Sequence, residues 1–336
     1  MKYLIIKGCA GLGNRLVTLS NAIEYCKRNN RTLYVDWSDG LYGLKGENVF
    51  YKYFQIKELP HSSALPELKP GEYSACPAKW EKIGLSASLY DNYTYGLPGI
   101  NKYVKERFLP GKGKLRNVRG YFYFQGKPYE EKVNDSNISY LLSIFNNRDI
   151  SLGGFLKDNL KEDILIFSDY QPAYYPQNIV NHLSLNPELE NLINDFSERN
   201  KLNEAIGIHV RATDRKVNDA LVLIKNKLSK IDQEYESSVI FLATDNKKIE
   251  HEFEQAGYKV VTYPKFIPEI EAAAGGGIHH WAKKNDQFDK AELILKESII
   301  DMWLLSKCKY LLYMGNSSYS KISVTLHNST CVDWIG

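Results

Sequence analysis

A run of polar and charged side chains follows an apolar, β-branched stretch in the second half of the sequence. The stretch covers 205–210, and its composition is typical of a central parallel strand that is buried on both faces. The polar residues at and beyond its end are His209, Arg211, Thr213, Asp214, Arg215 and Asp219. Because ligands of open α/β sheets bind outside the carboxyl ends of the strands, we expect these side chains to line a binding crevice. An arginine there suits a phosphate, since its guanidinium makes two charge-assisted hydrogen bonds at once. The alternative is a salt-bridged loop without a ligand.

A glycine-rich turn near the amino terminus forms a second candidate site. Gly8, Gly11 and Gly13 lie between a predicted strand and a predicted helix, where free backbone amides and the helix dipole favour an anion. With Asp36 at the end of the next strand, the turn partly imitates a dinucleotide-binding fingerprint. That fingerprint has glycines at its first, third and sixth positions, whereas this turn has them at the first, fourth and sixth. The spacing disfavours a dinucleotide-dependent oxidoreductase and leaves open an anion site or a purely structural tight turn.

Alternating strand and helix patterns surround both candidate sites. The first forty residues predict a strand at 3–7, a helix at 15–28 and a strand at 32–35. The pattern is irregular from about 38 to 165. Further strands are predicted at 206–210, 239–243, 259–262 and 310–313, and helices at 219–229, 246–256 and 288–306. This alternation predicts an α/β fold with two Rossmann-like domains, 1–184 and 185–336, facing each other across a cleft.

Composition bounds the class of protein. The 336 residues suit two domains, and 43% hydrophobic residues suffice for two packed cores. A net charge of +3 without a lysine–arginine block argues against a nucleic-acid partner. Five widely spaced cysteines without a C-x-x-C pair fit a reducing compartment better than a disulfide framework. The amino-terminal apolar run is too short for a signal peptide, and no run approaches the ~20 apolar residues that span a bilayer, so we expect a cytoplasmic protein.

Four polar segments follow one another in a specific order. They are 11–15 after the first strand, 209–215 after a later strand, 242–245, and 301–306 leading to 316–318. Together these segments resemble the GDP-fucose-dependent fucosyltransferases, and most of all the α1,6 group that contains the rhizobial nodulation enzyme and the animal enzyme that core-fucosylates N-glycans. The resemblance covers both ends of the chain and nearly all of its C-terminal half. It implies a GT-B fold and an inverting reaction without a metal or other cofactor, with the nucleotide held mainly by the C-terminal domain.

The resemblance also implies a set of donor-binding residues. His209 and Asp301 would contact the guanine, and Asp301 would accept from the two donors on the guanine edge. Arg211 would bind the diphosphate. Ser317 and the amide of Ser318 would hold phosphate oxygens at a helix N-terminus. The remaining residues of the implied donor site are Gly13, Asp214 and Asp245, of which the two aspartates are expected to orient loops.

The implied catalytic residues lie around the same loops. Asp219 matches the proposed base of the animal enzyme, a glutamate there, and Arg215 matches a lysine of that motif. A carboxylate could take the proton of the acceptor hydroxyl, and Arg211 could stabilise the departing diphosphate. Asn14 is a second candidate, by its likeness to an asparagine beside the reaction centre of protein O-fucosylating relatives. Ala212 stands where the animal enzyme has a second arginine, which the nodulation enzyme also lacks, and this leaves open another GDP-sugar as donor.

The segment 275–281 contains adjacent histidines after three glycines. Adjacent side chains point in different directions and no third ligand follows at a coordinating spacing, so we expect a mobile loop over the cleft rather than a metal site, with Trp281 or His279 touching sugar.

The sequence thus predicts a transferase that moves L-fucose from GDP-fucose to a carbohydrate acceptor in surface glycan or lipid-linked oligosaccharide synthesis. A lipid-linked acceptor would bring peripheral association with a membrane. The alternatives are a GT-B transferase with another GDP-sugar, an oxidoreductase and a non-catalytic carbohydrate-binding protein.

Overall fold

The computed structural model describes residues 2–8, 10–76, 80–87, 93–95, 121–123, 160–168, 178–213, 219–231, 238–269, 278–327 and 330–335. The strands are β1 Tyr3–Lys7, β2 Thr32–Asp36, β3 Phe54–Ile56, β4 Ala75–Cys76, β5 Tyr93–Tyr95, β6 Tyr121–Tyr123, β7 Ile164–Phe167, β8 Leu183–Leu185, β9 Ile206–Val210, β10 Val239–Thr244, β11 Lys259–Val261, β12 Tyr310–Tyr313 and β13 Cys331–Asp333. The helices are α1 Leu12–Asn29, α2 Phe50–Tyr53, α3 Trp80–Ile83, α4 Asn178–His182, α5 Pro187–Arg199, α6 Ala220–Ile231, α7 Lys247–Gln255, α8 Trp281–Lys284, α9 Phe288–Lys307 and α10 Ser318–Leu326.

The first sheet is parallel and has the strand order β2-β1-β7-β4. The predicted strands at 3–7 and 32–35 correspond to β1 and β2, whose last residues, Lys7 and Asp36, pair in register. Helix α1 begins at Leu12, three residues before the predicted start at 15. The reason is that Gly11 adopts an extended conformation as N-cap, so Asn14 and Arg15 lie within the first turn.

The second sheet is also parallel, with the order β11-β10-β9-β12-β13. β9 lies at its centre and is buried along its whole length, as its apolar composition predicts. Two helices that follow strands, α7 after β10 and α5 after β8, begin at side-chain caps. Asn246 Oδ1 accepts from Lys248 N at 2.9 Å before α7, and Asn186 Oδ1 accepts from Leu189 N at 2.8 Å before α5.

The two sheets are joined by packed helices and one continuous core. α1, from the first half of the chain, packs against α10, and α10 packs against α9. A single buried cluster includes Leu16 of α1, Leu304 of α9 and Ile322 of α10. The antiparallel pair β3–β8 adds a second link, and position 184, the predicted domain boundary, lies inside β8. No helix in the described part of the chain is long and apolar enough to cross a membrane.

Candidate functional site

The loop after β9 is held by an aspartate from the neighbouring strand. Asp245 directly follows β10, and its Oδ1 accepts from the backbone N of Ala212 at 2.7 Å and of Thr213 at 3.2 Å. Its Oδ2 accepts from Thr213 Oγ1 at 2.5 Å. Arg211 N donates to Met314 Sδ at 3.0 Å, beyond β12 on the other side. Both oxygens of Asp245 therefore accept hydrogen bonds from the loop that presents the half-buried Arg211, which is an orienting role.

His209 is fixed from three directions. It is 7% exposed, and its ring stacks on Tyr319 with centroids 4.7 Å apart and an interplanar angle of 29°. Its Nδ1 lies 2.5 Å from Ser320 Oγ, and its carbonyl accepts from Trp334 Nε1 at 3.1 Å. These contacts hold the imidazole at the carboxyl end of β9, beside the N-terminal turn of α10.

Asp301 lies on α9, the helix that the Tyr319 hydroxyl contacts, and forms a buried ion pair. The Tyr319 hydroxyl donates to Ser298 O at 2.7 Å, one turn before Asp301 on α9. Asp301 Oδ2 accepts from Lys265 Nζ, and the two side chains are 6% and 8% exposed respectively. Burial raises the pKa of the Asp301 carboxyl, with Lys265 acting in the opposite direction, and its Oδ1 is buried without a partner among the described residues. The site thus contains a buried carboxylate oxygen that no described residue satisfies.

Sequence reasoning did not identify Lys265. A signal existed, because Lys265 follows β11 at the same edge of the sheet where β9 presents its polar residues. Its neighbour Phe266 donates its backbone N–H to Glu297 Oε2 at 2.9 Å, which ties this segment to α9 one turn before Asp301. What the sequence could not show was the pairing with Asp301, which depends on how α9 packs on the sheet.

The N-termini of α1 and α10 meet in backbone contact. A Cβ placed on Gly13 would lie 2.3 Å from Tyr319 N and 2.6 Å from the carbonyl carbon of Ser318. Ser317 is fully buried and caps α10 by accepting from Ser320 N at 3.5 Å. Because each helix N-terminus carries partial positive charge, two of them in contact make a position that favours an anion.

Arg15 stabilises the glycine-rich turn from within. Its Nε donates to Ala10 O at 2.9 Å, and its Nη1 and Nη2 donate to Asp39 Oδ1 and Oδ2 at 3.0 and 2.7 Å. The guanidinium carbon lies 5.3 Å from the centroid of the Trp37 ring and 4.9 Å from that of Tyr42. Arg15 is only 2% exposed. Its bidentate pair with Asp39 was not identified from the sequence, because Asp39 lies in the segment whose pattern is irregular.

His279 lies against the glycine-rich turn. A Cβ on Gly11 would be 3.2 Å from His279 Cε1, and the rings of His279 and Tyr42 have centroids 6.3 Å apart. Burial, His280 and the positive charges of Arg211 and Arg15 hold the pKa of His279 well below 6.5, so the imidazole is neutral. Residues 275–277 of the predicted loop lie outside the described residues. No group of three or more His, Cys, Asp or Glu side chains in the described ranges is arranged to hold a metal ion.

Solved fucosyltransferase structures share this architecture. No protein-family model matches the sequence, and no curated protein sequence is similar to it. The α1,6-fucosyltransferase NodZ soaked with GDP-fucose superposes with a TM-score of 0.58 at 16% identity, over 97% of this chain and 93% of that chain. NodZ from Bradyrhizobium gives 0.57 at 16% identity, over 97% and 94%. A mutant of Arabidopsis thaliana FUT1 in complex with GDP gives 0.51 at 13% identity, over 98% of this chain and 69% of that chain.

The chain has the fold of the GDP-fucose-dependent fucosyltransferases. This confirms the predicted α/β GT-B fold class. Within this fucosyltransferase fold, the structure groups five of the predicted donor residues around Tyr319: Gly13, His209, Asp301, Ser317 and Ser318. Asp214 and Arg215 lie outside the described residues.

The predicted catalytic candidates of this fucosyltransferase fold occupy different surroundings. Asp219 immediately precedes α6, and its carbonyl accepts from Leu223 N at 3.0 Å. Its φ of 57° is left-handed and its side chain is exposed, so it can meet a substrate that arrives from solvent. Asn14 lies in the first turn of α1, next to Gly13, and its carbonyl accepts from Thr18 Oγ1 at 2.9 Å.

Proposed function

We propose that this chain is an inverting glycosyltransferase that moves L-fucose from GDP-fucose to the hydroxyl of a carbohydrate acceptor. The observation that carries the proposal is the arrangement around Tyr319, with His209 stacked on its ring and the buried, incompletely bonded Asp301 carboxylate on the helix that its hydroxyl contacts. A guanine edge carries adjacent N–H groups that can donate hydrogen bonds to a carboxylate. The NodZ structure soaked with GDP-fucose has the same fold, which supports this donor.

The diphosphate would lie where the N-termini of α1 and α10 meet. Their backbone amides and dipoles stabilise negative charge, and Gly13 allows the two helices to approach this closely. Burial is the main cause of the pKa shifts of Tyr42 and His279, and Arg211 contributes to both, which supports a position of its charge near the glycine-rich turn. Fixed positive charge at this position favours the transition state, because the phosphate oxygen that leaves C1 gains negative charge as the bond breaks.

Transfer then requires a group that accepts the acceptor proton. The acceptor oxygen attacks C1 as the C1–O bond to the diphosphate breaks, GDP leaves with the electron pair, and the hydroxyl proton passes to a base. Asp219 is our first candidate, because it is an exposed carboxylate just beyond the donor loop, with Arg215 as its neighbour in sequence. Asn14 is the second candidate, as a residue that orients the reacting groups beside Gly13.

We propose that no metal or other cofactor takes part, because Arg211 and the two helix N-termini can supply the charge that a divalent ion would supply. Activity should therefore survive chelation by EDTA. A complete loss that added manganese or magnesium restores would overturn this part of the proposal and bring His279 and His280 back into consideration.

The acceptor and its place in the cell are further proposals. We propose a glycan or lipid-linked oligosaccharide built in the cytoplasm, with peripheral membrane association when the acceptor carries a lipid. A GT-B transferase with another GDP-sugar is the second candidate function, which Ala212 leaves open, because the diphosphate would be held without a second arginine at this position.

The test is a nucleotide panel followed by donor hydrolysis. GDP should raise the melting temperature more than UDP, ADP or NAD at equal concentration, since only a ligand that binds the folded state stabilises it. Equal shifts for GDP, UDP and ADP would overturn the guanine assignment, and a response to NAD alone would favour the oxidoreductase. Hydrolysis of GDP-mannose in preference to GDP-fucose would reassign the sugar.

A further inference from the structure

The buried pair of Lys265 and Asp301 has unused hydrogen-bonding capacity. An ammonium can donate three hydrogen bonds, and among the described residues Lys265 Nζ has one acceptor, Asp301 Oδ2. Asp301 Oδ1 has no donor in the same part of the chain. A buried carboxylate oxygen without a donor is costly, because a buried polar group is normally compensated by a hydrogen bond. The pair therefore presents a positive donor and a negative acceptor side by side for a ligand.

We propose that Lys265 is a specificity-determining residue that donates to O6 of guanine while Asp301 accepts from N1 and N2 of the same base. The inference rests on the proposed function, because it assumes that a guanine nucleotide is the donor. Guanine presents an acceptor, O6, directly beside two N–H donors on one edge. The Lys265–Asp301 pair has the complementary order, with a donor beside an acceptor. The two residues together would read the whole edge.

Other bases present a different order of groups to this pair. Adenine has an amino donor in place of O6, which would face the ammonium, and an unprotonated N1, which would face the carboxylate. Uracil has a carbonyl where guanine has its 2-amino group, so an acceptor would face Asp301. Each mismatch would leave a buried charge against a like partial charge, which makes discrimination steep.

The segment that carries Lys265 is held in place for this role. Phe266 N donates to Glu297 Oε2 at 2.9 Å, and the ring of Phe266 packs on Trp281 with centroids 5.3 Å apart. Asp301 is on α9, the same helix as Glu297, and so both ends of the pair are attached to one rigid element. A donor that is held in this way discriminates between ligands because it cannot move to accommodate a different group.

The experiment compares GDP with 6-thio-GDP, in which sulfur replaces O6 while N1–H and the 2-amino group remain. Dissociation constants are measured by titration calorimetry for the wild type, Lys265→Met and Lys265→Gln. Methionine removes the donor, whereas glutamine is neutral but can still donate. Lys259→Met, an exposed lysine on the neighbouring β11, is the matched control. Melting temperatures verify that each variant is folded.

We expect the wild type and Lys259→Met to prefer GDP over 6-thio-GDP by about tenfold, the scale of a hydrogen bond from a charged donor. Lys265→Met should bind both nucleotides with similar affinity, and Lys265→Gln should keep part of the preference. Equal weakening of both nucleotides in Lys265→Met would mean that Lys265 only holds Asp301, and would overturn the inference while the proposed function stands. A wild type that does not bind GDP would overturn both.

If Lys265→Met does not fold, the double variant Lys265→Met/Asp301→Asn removes both buried charges and takes its place. Its reference is Asp301→Asn alone. A preference for GDP that is present in Asp301→Asn and absent from the double variant supports the inference. The same preference in both variants overturns it.

Discussion

Gly13 and Tyr319 are in backbone contact across the junction of the two sheets. A Cβ on Gly13 would lie 2.3 Å from Tyr319 N, a separation that no rearrangement of side chains can relieve. Gly13 belongs to α1 and Tyr319 to α10, so this contact sets how closely the two helix N-termini approach. The same Tyr319 separates His209 from the helix that carries Asp301. The approach of the two halves of the chain is thus coupled directly to the geometry of the proposed nucleotide site.

Replacing Gly13 with alanine tests this coupling. Glycine to alanine inside a helix ordinarily stabilises by up to about 1 kcal/mol. Here we expect the opposite sign, because the two backbones must separate, with a loss of about 1–3 kcal/mol as for an overpacked core and weaker GDP binding. Gly11→Ala is the control, since its Cβ would meet only the His279 ring, at 3.2 Å. Chemical denaturation and GDP titration measure both effects. Gly13→Ala with wild-type stability and affinity would show that the helices are free to separate.

Substitution of Arg211 tests whether this residue binds the diphosphate. Alanine removes the forked contact with the diphosphate, and lysine keeps the charge without the fork. We expect turnover to fall about 100-fold or more in Arg211→Ala, by the scale of losing one charge-stabilising donor. The fold should persist, because Asp245 holds the backbone of this loop through Ala212 and Thr213. Steady-state kinetics with a melting-temperature check measure this, and near-wild-type turnover would mean that the diphosphate lies elsewhere.

Asp219→Asn separates a catalytic role from a structural one. Asparagine tolerates the left-handed φ of 57°, and the side chain is exposed, so stability should change by less than about 0.5 kcal/mol. GDP affinity should also persist. If Asp219 is the base, transfer should fall about 100- to 10,000-fold, because the amide cannot accept the proton. Transfer that stays intact would remove Asp219 from the mechanism and turn attention to Asn14.

The pH dependence of GDP binding tests Asp301. Burial raises the pKa of its carboxyl above the ordinary value of 3.8. As the pH falls through this raised pKa, the carboxylate becomes protonated and no longer accepts from guanine. GDP affinity should therefore begin to fall at a higher pH than the pH at which an exposed aspartate becomes protonated.

Protonation of Asp301 lowers GDP affinity but raises the free energy of unfolding. Because the folded state binds this proton more tightly than the unfolded state, acidification through Asp301 favours the fold, so weaker GDP binding cannot be attributed to unfolding through this group. Titrations at a series of pH values, with Asp301→Asn as the control, measure the effect. The same acid loss in Asp301→Asn would assign the titration to another group.

Local signals in the sequence determined the elements and the edge of the sheet that carries the site. The stretch at 205–210 predicts β9 because most of its residues are apolar or β-branched, and the helix predicted at 246–256 starts at Asn246 because a cap bonds to an amide only two residues away. The order of the polar segments carried the resemblance to fucosyltransferases, which the fold confirmed. The roles of the individual site residues stay predictions.

The tertiary structure decided which of these residues meet. Lys265 pairs with Asp301, Arg15 with Asp39, and Gly13 touches Tyr319 more than three hundred residues away along the chain. None of these contacts follows from spacing, because each depends on how helices pack on two separate sheets. The pattern that marks a strand or a cap lies in neighbouring residues and is therefore encoded locally. A buried ion pair or a backbone contact forms only when packing brings distant segments together, because the burial that makes it specific does not exist before the chain has folded.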